Sequence, residues 1–257
     1  MLDVIAVGDR LARVAGSVAQ LGAEGSPPRA RARLGDIDVV DRGVDTRWSV
    51  QAYVPAIATS EEETLRNAMA WCVDRGGKRG FGFRVRAAER TALLTRFGLV
   101  EREALAVYAM PASVAGGLDP TAIPGTDLGD PRDLAELVAA YGGWMDDTAL
   151  ARGLLRAEDL LHPARRFLVC RIGGRPVGCA LVWFAAGTAY LSGIGIVAGF
   201  RGRGYGRAVT AAAAVIGAQG GLEHQPDLVW MHATDNAAAL YERLGFQRVD
   251  VHVTVGP

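Results

Sequence analysis

The chain reads as two similar stretches. Leu34-Gly35 to Val40 lies 143 residues before Val177-Gly178 to Trp183, and at that offset Trp48-Ser49 falls on Leu191-Ser192. Further on, Phe83-Arg-Val-Arg-Ala and Leu93-Leu94 to Phe97-Gly98-Leu99 fall on Trp230-Met-His-Ala and Leu240-Tyr241 to Leu244-Gly245-Phe246, at an offset of 147. The slip between the offsets is absorbed by a longer loop at 221–227 than at 77–80. Chance matching of apolar positions does not hold an offset through several elements, so a diverged tandem repeat is expected. At 257 residues there is length for two modest domains. Their expected bounds are 1–112 and 131–257. The stretch 113–130, with Gly116-Gly117, prolines and few large apolar residues, is expected as linker.

The second half shows the element order best. Leu, Val and Ala recur at helical spacing over 131–141 and 146–161, after an Asp-Pro start signal at 130–131. Phe167 to Ile172, Gly173-Gly174 and Pro176 to Phe184 spell a hairpin. A strand over 189–197, an alanine-rich helix over 204–218, a strand over 228–233, a helix over 236–244 stopped by Gly245 and a closing strand over 246–255 follow. The order is ααβββαβαβ, an α/β arrangement.

Within it, Arg201-Gly202-Arg203-Gly204-Tyr205-Gly206 links the third strand to the alanine-rich helix. The first N–H groups of a helix lack intrahelical partners, and its dipole favours an anion there. Glycines let that backbone approach phosphate oxygens, and Arg201, Arg203 and Arg207 add positive charge. A Walker loop needs Gly-Lys-Ser/Thr, whereas Gly206 is followed by Arg207-Ala208. Gly193-Ile-Gly195-Ile-Val-Ala198 matches GxGxxA in letters but reads as strand and leads to a second glycine loop, not a helix. A tight turn with surface arginines is the plainer alternative.

Bulk properties exclude other classes. Formal charge is balanced, against a nucleic-acid binder that works through a basic face. Cys72, Cys170 and Cys179 have apolar neighbours and no zinc spacing, so buried free thiols and no metal are expected. No secretory leader is read at Met1-Leu2-Asp3-Val4, and 208–218 is about half the ~20 residues of a bilayer span. The expectation is a cytoplasmic protein with no membrane or nucleic-acid partner.

The glycine loop resembles the Gln/Arg-x-x-Gly-x-Gly/Ala signature of the GCN5-related N-acetyltransferases. Ile196-Val-Ala-Gly-Phe-Arg201 is similar to that family's approach to it, with Ala198 where proline is usual. Asn236 to Phe246 resembles its last helix, with the spacing of Asn236, Tyr241 and Gly245-Phe246. The resemblance covers 131–257 and implies two domains of the family's fold, each a central mixed, mostly antiparallel sheet flanked by helices. It implies acetyl-CoA as cosubstrate and an amine acceptor, on a small molecule or a protein. The amides of Gly202, Arg203, Gly204, Tyr205, Gly206 and Arg207 would hold the pyrophosphate, with Arg201 beside them. The strand end at Ile194, Ile196 and Val197 would splay from its neighbour and pair with the pantetheine arm. Asn236 would bind that arm, and Tyr241 would sit beside the sulfur. In the first half the equivalent loop reads Ala58-Thr59-Ser60-Glu61-Glu62-Glu63, with Glu89 and Leu94 opposite Asn236 and Tyr241. Three carboxylates would repel a pyrophosphate, so that half is expected to be a degenerate copy, with Ser60 as helix N-cap.

Transfer to an amine requires a neutral nucleophile, a polarised carbonyl and a proton for the leaving thiolate. Tyr241 is the candidate general acid, since a phenol near pKa ~10 keeps its proton at pH 7. A strand N–H near Ile196 is the candidate oxyanion donor. The strand Tyr190-Leu-Ser192-Gly-Ile-Gly-Ile196 carries no carboxylate where relatives place a glutamate. His232 is one candidate base, with a usual pKa of ~6.5, and a structural histidine is the other reading. Asp146, Asp147, Glu158 and Asp159 are further candidates, or a solvated helix face. Trp144-Met145 and Trp183-Phe184 fit an acceptor pocket or the core alike. The competing class is a non-catalytic acyl-CoA-binding or scaffolding protein. Sequence leaves the acceptor and the choice of monomer or homodimer open.

Overall fold

The computed structural model describes residues 2–24, 29–45, 49–57, 60–77, 80–120, 125–221 and 225–257. In chain order the first stretch runs α1 (Val4–Gly22), β1 (Ala30–Leu34), β2 (Ile37–Asp41), β3 (Val50–Tyr53), α2 (Glu62–Gly76), β4 (Phe81–Arg86), α3 (Arg90–Phe97), β5 (Val100–Pro111) and α4 (Ala112–Ala115). The second runs β6 (Thr126–Gly129), α5 (Leu134–Met145), α6 (Thr148–Leu154), α7 (Ala157–Leu160), β7 (Arg165–Ile172), β8 (Arg175–Ala185), β9 (Thr188–Ile196), α8 (Tyr205–Gln219), β10 (Leu228–Ala233), α9 (Asp235–Arg243) and β11 (Gln247–Gly256). Contacts divide the chain into two compact units. Unit 1 is Met1–Tyr108 with Ala233–Ala238 and Arg248–Pro257, and unit 2 is Ala109–His232 with Ala239–Gln247.

The expected repeat is visible in how each unit is wired. In unit 1, β1, β2 and β3 pair antiparallel in sequence, and β3 pairs parallel with β4 across α2. In unit 2, β7, β8 and β9 pair antiparallel, and β9 pairs parallel with β10 across α8. In each unit the strand pairing is mixed, mostly antiparallel, with helices packed against it. The Gly173-Gly174 hairpin turn has φ of 56 and 79°, conformations open to glycine.

The contact division follows different lines from the sequence boundaries. β11, which trails the second stretch, lies antiparallel to β4 in unit 1, with His252 opposite Arg86 and Val255 opposite Phe83. Arg84 reaches Thr254 Oγ1 from Nε (3.1 Å) and Nη2 (2.8 Å), and Arg86 Nε meets Asp250 Oδ2 at 2.6 Å. Val253 and Val255 join a core with Ile37, Val39, Leu65, Phe83 and Leu93. The stretch read as linker supplies α4 and β6, and β6 pairs with β7.

In unit 2, α5 begins at Asp133, whose side chain accepts from the Glu136 N–H at 2.8 Å. Leu137, Val138 and Ala140 pack with Phe167, Val169, Cys179 and Leu181 of the sheet. On the other face, α8 lies close enough that a Cβ on Gly217 would stand 3.1 Å from Ala189. Cys72, Cys170 and Cys179 are free and buried; burial pushes the Cys72 thiol up to about 12 and Cys170 to about 11.

One ion pair ties α5 to β7. Arg171 Nε and Nη2 donate to the two Glu136 oxygens at 2.7 and 2.6 Å, which holds that carboxyl down from 4.5 to about 2. The unfolded chain protonates Glu136 near 4.5 and the folded chain only near 2, so this stabilisation is lost as pH falls through that window. Melting curves taken from pH 5 to pH 2 should fall more steeply for the wild type than for Glu136→Gln. Equal slopes would remove Glu136 from the acid response.

Candidate active site

β9 and β10 set the geometry. Their parallel rungs run from Thr188–Leu228 through Tyr190–Trp230 and end at Leu191–Met231. β9 continues to Ile196, held on its other side by β8, so residues 192–196 leave one strand edge without β10. Val197 N donates to Val177 O at 2.8 Å. Strand alternation therefore turns the Ile196 N–H to the opposite edge, which β10 has left.

The glycines rejected as a dinucleotide fingerprint have a packing role. A Cβ on Gly195 would fall 2.1 Å from the Trp144 indole, and one on Gly193, at φ +57°, would fall 2.6 Å from the Tyr141 ring. The two aromatics of α5 thus lie directly on the β9 backbone and on one another, with ring centres 5.6 Å apart. Arg201 closes the other end: its Nε donates to Ile196 O at 2.8 Å and its Nη2 to Trp144 O at 3.2 Å. Arg201 thus ties the end of β9 to the end of α5 through their backbone carbonyls.

The loop then enters α8. Gly202 and Gly204 have φ of 75 and 88°, and a Cβ on Gly202 would meet nothing within 4 Å. Among the described residues, no protein acceptor meets the N–H groups of Gly202, Arg203, Gly204, Tyr205 and Gly206. The Arg207 N–H is committed, donating to Gly204 O at 3.0 Å. Arg203 and Arg207 are exposed. Arg203 and Arg175 both stand over the Phe200 ring, at 5.9 and 5.6 Å. A row of amides with outward space and basic side chains fits a pyrophosphate.

Around this loop the structure gathers several of the expected residues. A Cβ on Gly206 would lie 3.9 Å from both Ile196 and Leu240, so the strand end, the start of α8 and α9 meet there. Tyr241, next to Leu240, is buried with its ring 6.2 Å from Phe246, and burial pushes its phenol up to about 12. It stays protonated throughout the neutral range. Asn236 lies on the first turn of α9 and is exposed; by contacts it groups with unit 1.

His232 is half-buried, with its Nδ1 3.1 Å from the Tyr190 hydroxyl. Two of the four acidic candidates, Asp147 and Asp159, have other employment, and Glu158 is exposed. Asp146 ends α5 at φ 58°, and Asp147 caps α6 by accepting from Leu150 N at 2.8 Å. Asp159, buried and not solvated as the helix-face reading had it, pairs with buried Arg165. The guanidinium of Arg165 stands 5.1 Å over Trp183, whose Nε1 donates to Ser192 Oγ at 2.6 Å. Sequence spacing gave no signal for Tyr190 or Arg165, because their partners come from another strand and from α7.

The corresponding place in unit 1 is built otherwise. β3 ends at Tyr53, the Val54 N–H still donates to Arg84 O of β4 at 3.0 Å, and the Ile57 N–H donates to the Glu89 carboxylate. Ser60 does not cap α2; its Oγ donates to Asp36 Oδ2 and Ala56 O, both at 2.8 Å, and Glu61 holds the cap position without a side-chain bond. Ala58 and Thr59 lie outside the described residues. Glu62 and Glu63 fill the first turn of α2 with the chain's own negative charge.

Unit 2 thus holds a β-strand that parts from its parallel neighbour beside a glycine loop and a helix N-terminus. Residues 163–248 match the family model described as an acetyltransferase (GNAT) domain. A GCN5-related N-acetyltransferase from Kribbella flavida is similar over 97% of this chain and 95% of its own, at 20% identity and a TM-score of 0.66. A tandem GNAT protein from the clavulanic acid biosynthesis pathway aligns over 99% and 94%, at 13% identity and a TM-score of 0.64. A GCN5-related N-acetyltransferase from Sphaerobacter thermophilus aligns over 86% and 75%, at 18% identity and a TM-score of 0.55. At these identities the likeness is one of fold, and that fold is the tandem GNAT arrangement. No curated protein matches the chain. Among the described residues there is no metal-holding group of His, Cys, Asp or Glu, and no helix long and apolar enough to cross a membrane.

Proposed function

We propose that the chain is an acetyl-CoA-dependent N-acetyltransferase, with one active site in unit 2, that passes acetyl directly to a primary amine of a small molecule or protein. The observation that carries this reading is the opened edge of β9 running into loop amides that no protein acceptor meets. The amides of Gly202, Arg203, Gly204, Tyr205 and Gly206, with the Arg203 and Arg207 side chains, receive the pyrophosphate. The edge at Ile194, Ile196 and Val197 pairs with the pantetheine arm. The Ile196 N–H points to the freed edge and is assigned to the thioester oxygen.

In the transfer the amine nitrogen attacks the thioester carbon, the C–N bond forms and the C–S bond breaks. His232 takes the proton that the nitrogen sheds, and the sulfur is met by the Tyr241 hydroxyl. The thiolate leaves hydrogen-bonded to Tyr241 and takes a proton from solvent, while His232 returns its own to solvent. The net change is one proton moved from nitrogen to sulfur. A phenol at about 12 facing a thiol of ~8.5 loses its proton uphill, at about 1.4 kcal/mol per unit. Tyr241 is therefore better suited to hydrogen-bonding the developing thiolate than to releasing a free proton early.

Calorimetry with acetyl-CoA tests the site, with one equivalent bound per chain expected. A thiol-release assay over a panel of small and peptidyl amines tests the chemistry. Binding without release from any amine would favour a non-catalytic acyl-CoA-binding protein, the reading kept alive by the missing carboxylate on β9. Absence of binding would end both.

A further inference from the structure

Antiparallel pairing brings the tip of the β7–β8 hairpin to the glycine loop. Gly178 lies opposite Ile196, and Val197 N donates to Val177 O at 2.8 Å, so the start of β8 stands beside the end of β9. Arg175, the first residue of β8 after the Gly173-Gly174 turn, thereby reaches Phe200, which closes the short turn between β9 and the loop. Its guanidinium carbon is 5.6 Å from the Phe200 ring centre, and that of Arg203 is 5.9 Å from the same centre. Both arginines are exposed, and neither is ion-paired to a carboxylate among the described residues. Two like charges set against one ring repel each other, and an anion placed between them would relieve that repulsion.

We propose that Arg175 is a cofactor-specificity residue that binds the 3′-phosphate of acetyl-CoA, next to the pyrophosphate received by the loop. The proposal rests on the acyl-CoA reading of unit 2. CoA carries two anionic groups, the pyrophosphate and the phosphomonoester on the ribose. On that reading the loop amides at the start of α8, with Arg203 and Arg207, provide for the first. Arg175 comes from a different hairpin and is surplus to that row, yet Phe200 keeps it beside Arg203. A phosphomonoester bears about −1.5 to −2 charges at neutral pH and offers three acceptor oxygens. A forked guanidinium matches that group in both charge and geometry. The Phe200 ring holds the two cations by its face without neutralising either of them. The pantetheine arm is assigned to the edge of β9, so the nucleoside end is left to the exposed side of the loop, where Arg175 lies.

The test is calorimetry on the full chain with CoA and with 3′-dephospho-CoA, which lacks only the ribose phosphate. The wild type should bind CoA roughly tenfold more tightly than the dephospho form. Arg175→Gln should bring CoA down to the dephospho level and leave dephospho-CoA binding within about a factor of two. Arg203→Gln should weaken both forms alike, because its target is the pyrophosphate they share. Both side chains are exposed, so melting curves of the variants should lie within about 2 °C of the wild type. Added salt should shrink the preference for CoA. Equal binding of the two forms by the wild type, or equal loss of both in Arg175→Gln, overturns the assignment of Arg175 and leaves the acyl-CoA reading standing. If neither form binds, that reading falls and the role of Arg175 falls with it.

Discussion

Tyr241→Phe should cut kcat on the order of 10²-fold, about 3 kcal/mol of barrier, and leave acetyl-CoA binding within a factor of two. The ring stays, so its contact with Phe246 and the burial of α9 survive, and what is lost is one hydroxyl. On the proposed reading the hydroxyl acts on the departing sulfur in the transition state, so kcat and kcat/KM should fall together. The phenol lies at about 12, so no limb of the pH profile in the working range should belong to Tyr241. The basic limb should be the same in wild type and variant. Single-turnover kinetics and calorimetry on both proteins decide the matter; an unchanged kcat with a good acceptor removes Tyr241 from the chemistry.

The largest stability effect should come from Asp159→Ala. Asp159 and Arg165 are 2 and 3% exposed, and they pair directly between α7 and β7. Removing the carboxylate from so dry a place typically costs 3–5 kcal/mol, since a buried charge loses its counter-charge. Asp159 also accepts from the Arg156 N–H at 2.8 Å, so the start of α7 goes with it. For a unit of this size a fall in Tm of roughly 10 °C follows. The double variant Asp159→Leu/Arg165→Met should regain most of it, because burying two apolar side chains avoids the desolvation of both charges. Arg165 also stands over Trp183, which holds Ser192, so the single variant should loosen the face beside β9 as well. If Asp159→Ala melts within 2 °C of wild type, the pair contributes nothing net.

The elements of the second stretch were legible because their signals are local. The Gly173-Gly174 turn, the alanine run of α8 and the Gly245 stop at φ 93° each depend on a few adjacent residues. The loop was legible for the same reason, as a glycine-rich link from strand to helix with positive φ at Gly202 and Gly204. The destination of β11 was not legible. An apolar alternating run records that a strand will be covered, but its edge hydrogen bonds suit any sheet of matching twist. Partners separated by long stretches of chain were hidden as well. Tyr190 and His232 meet only through the register of two parallel strands, and Asp159 is dry only because Arg165 turns toward it. Ser60 had the right letter for a cap, yet Asp36 took its hydroxyl.

The place of β11 has a consequence for biosynthesis. A ribosome emits residues 1–108 long before residues 247–256, and all of unit 2's strands are translated in between. Folding domain by domain in the order of synthesis, the usual course for a two-unit chain, is closed to this one. Unit 1 emerges with one side of β4 lacking the strand that will cover it, an exposed ladder of the kind that invites wrong partners. Until the late strand is made, the edge of β4 has only its β3 side paired, so the order of synthesis and the order of pairing part company at this strand.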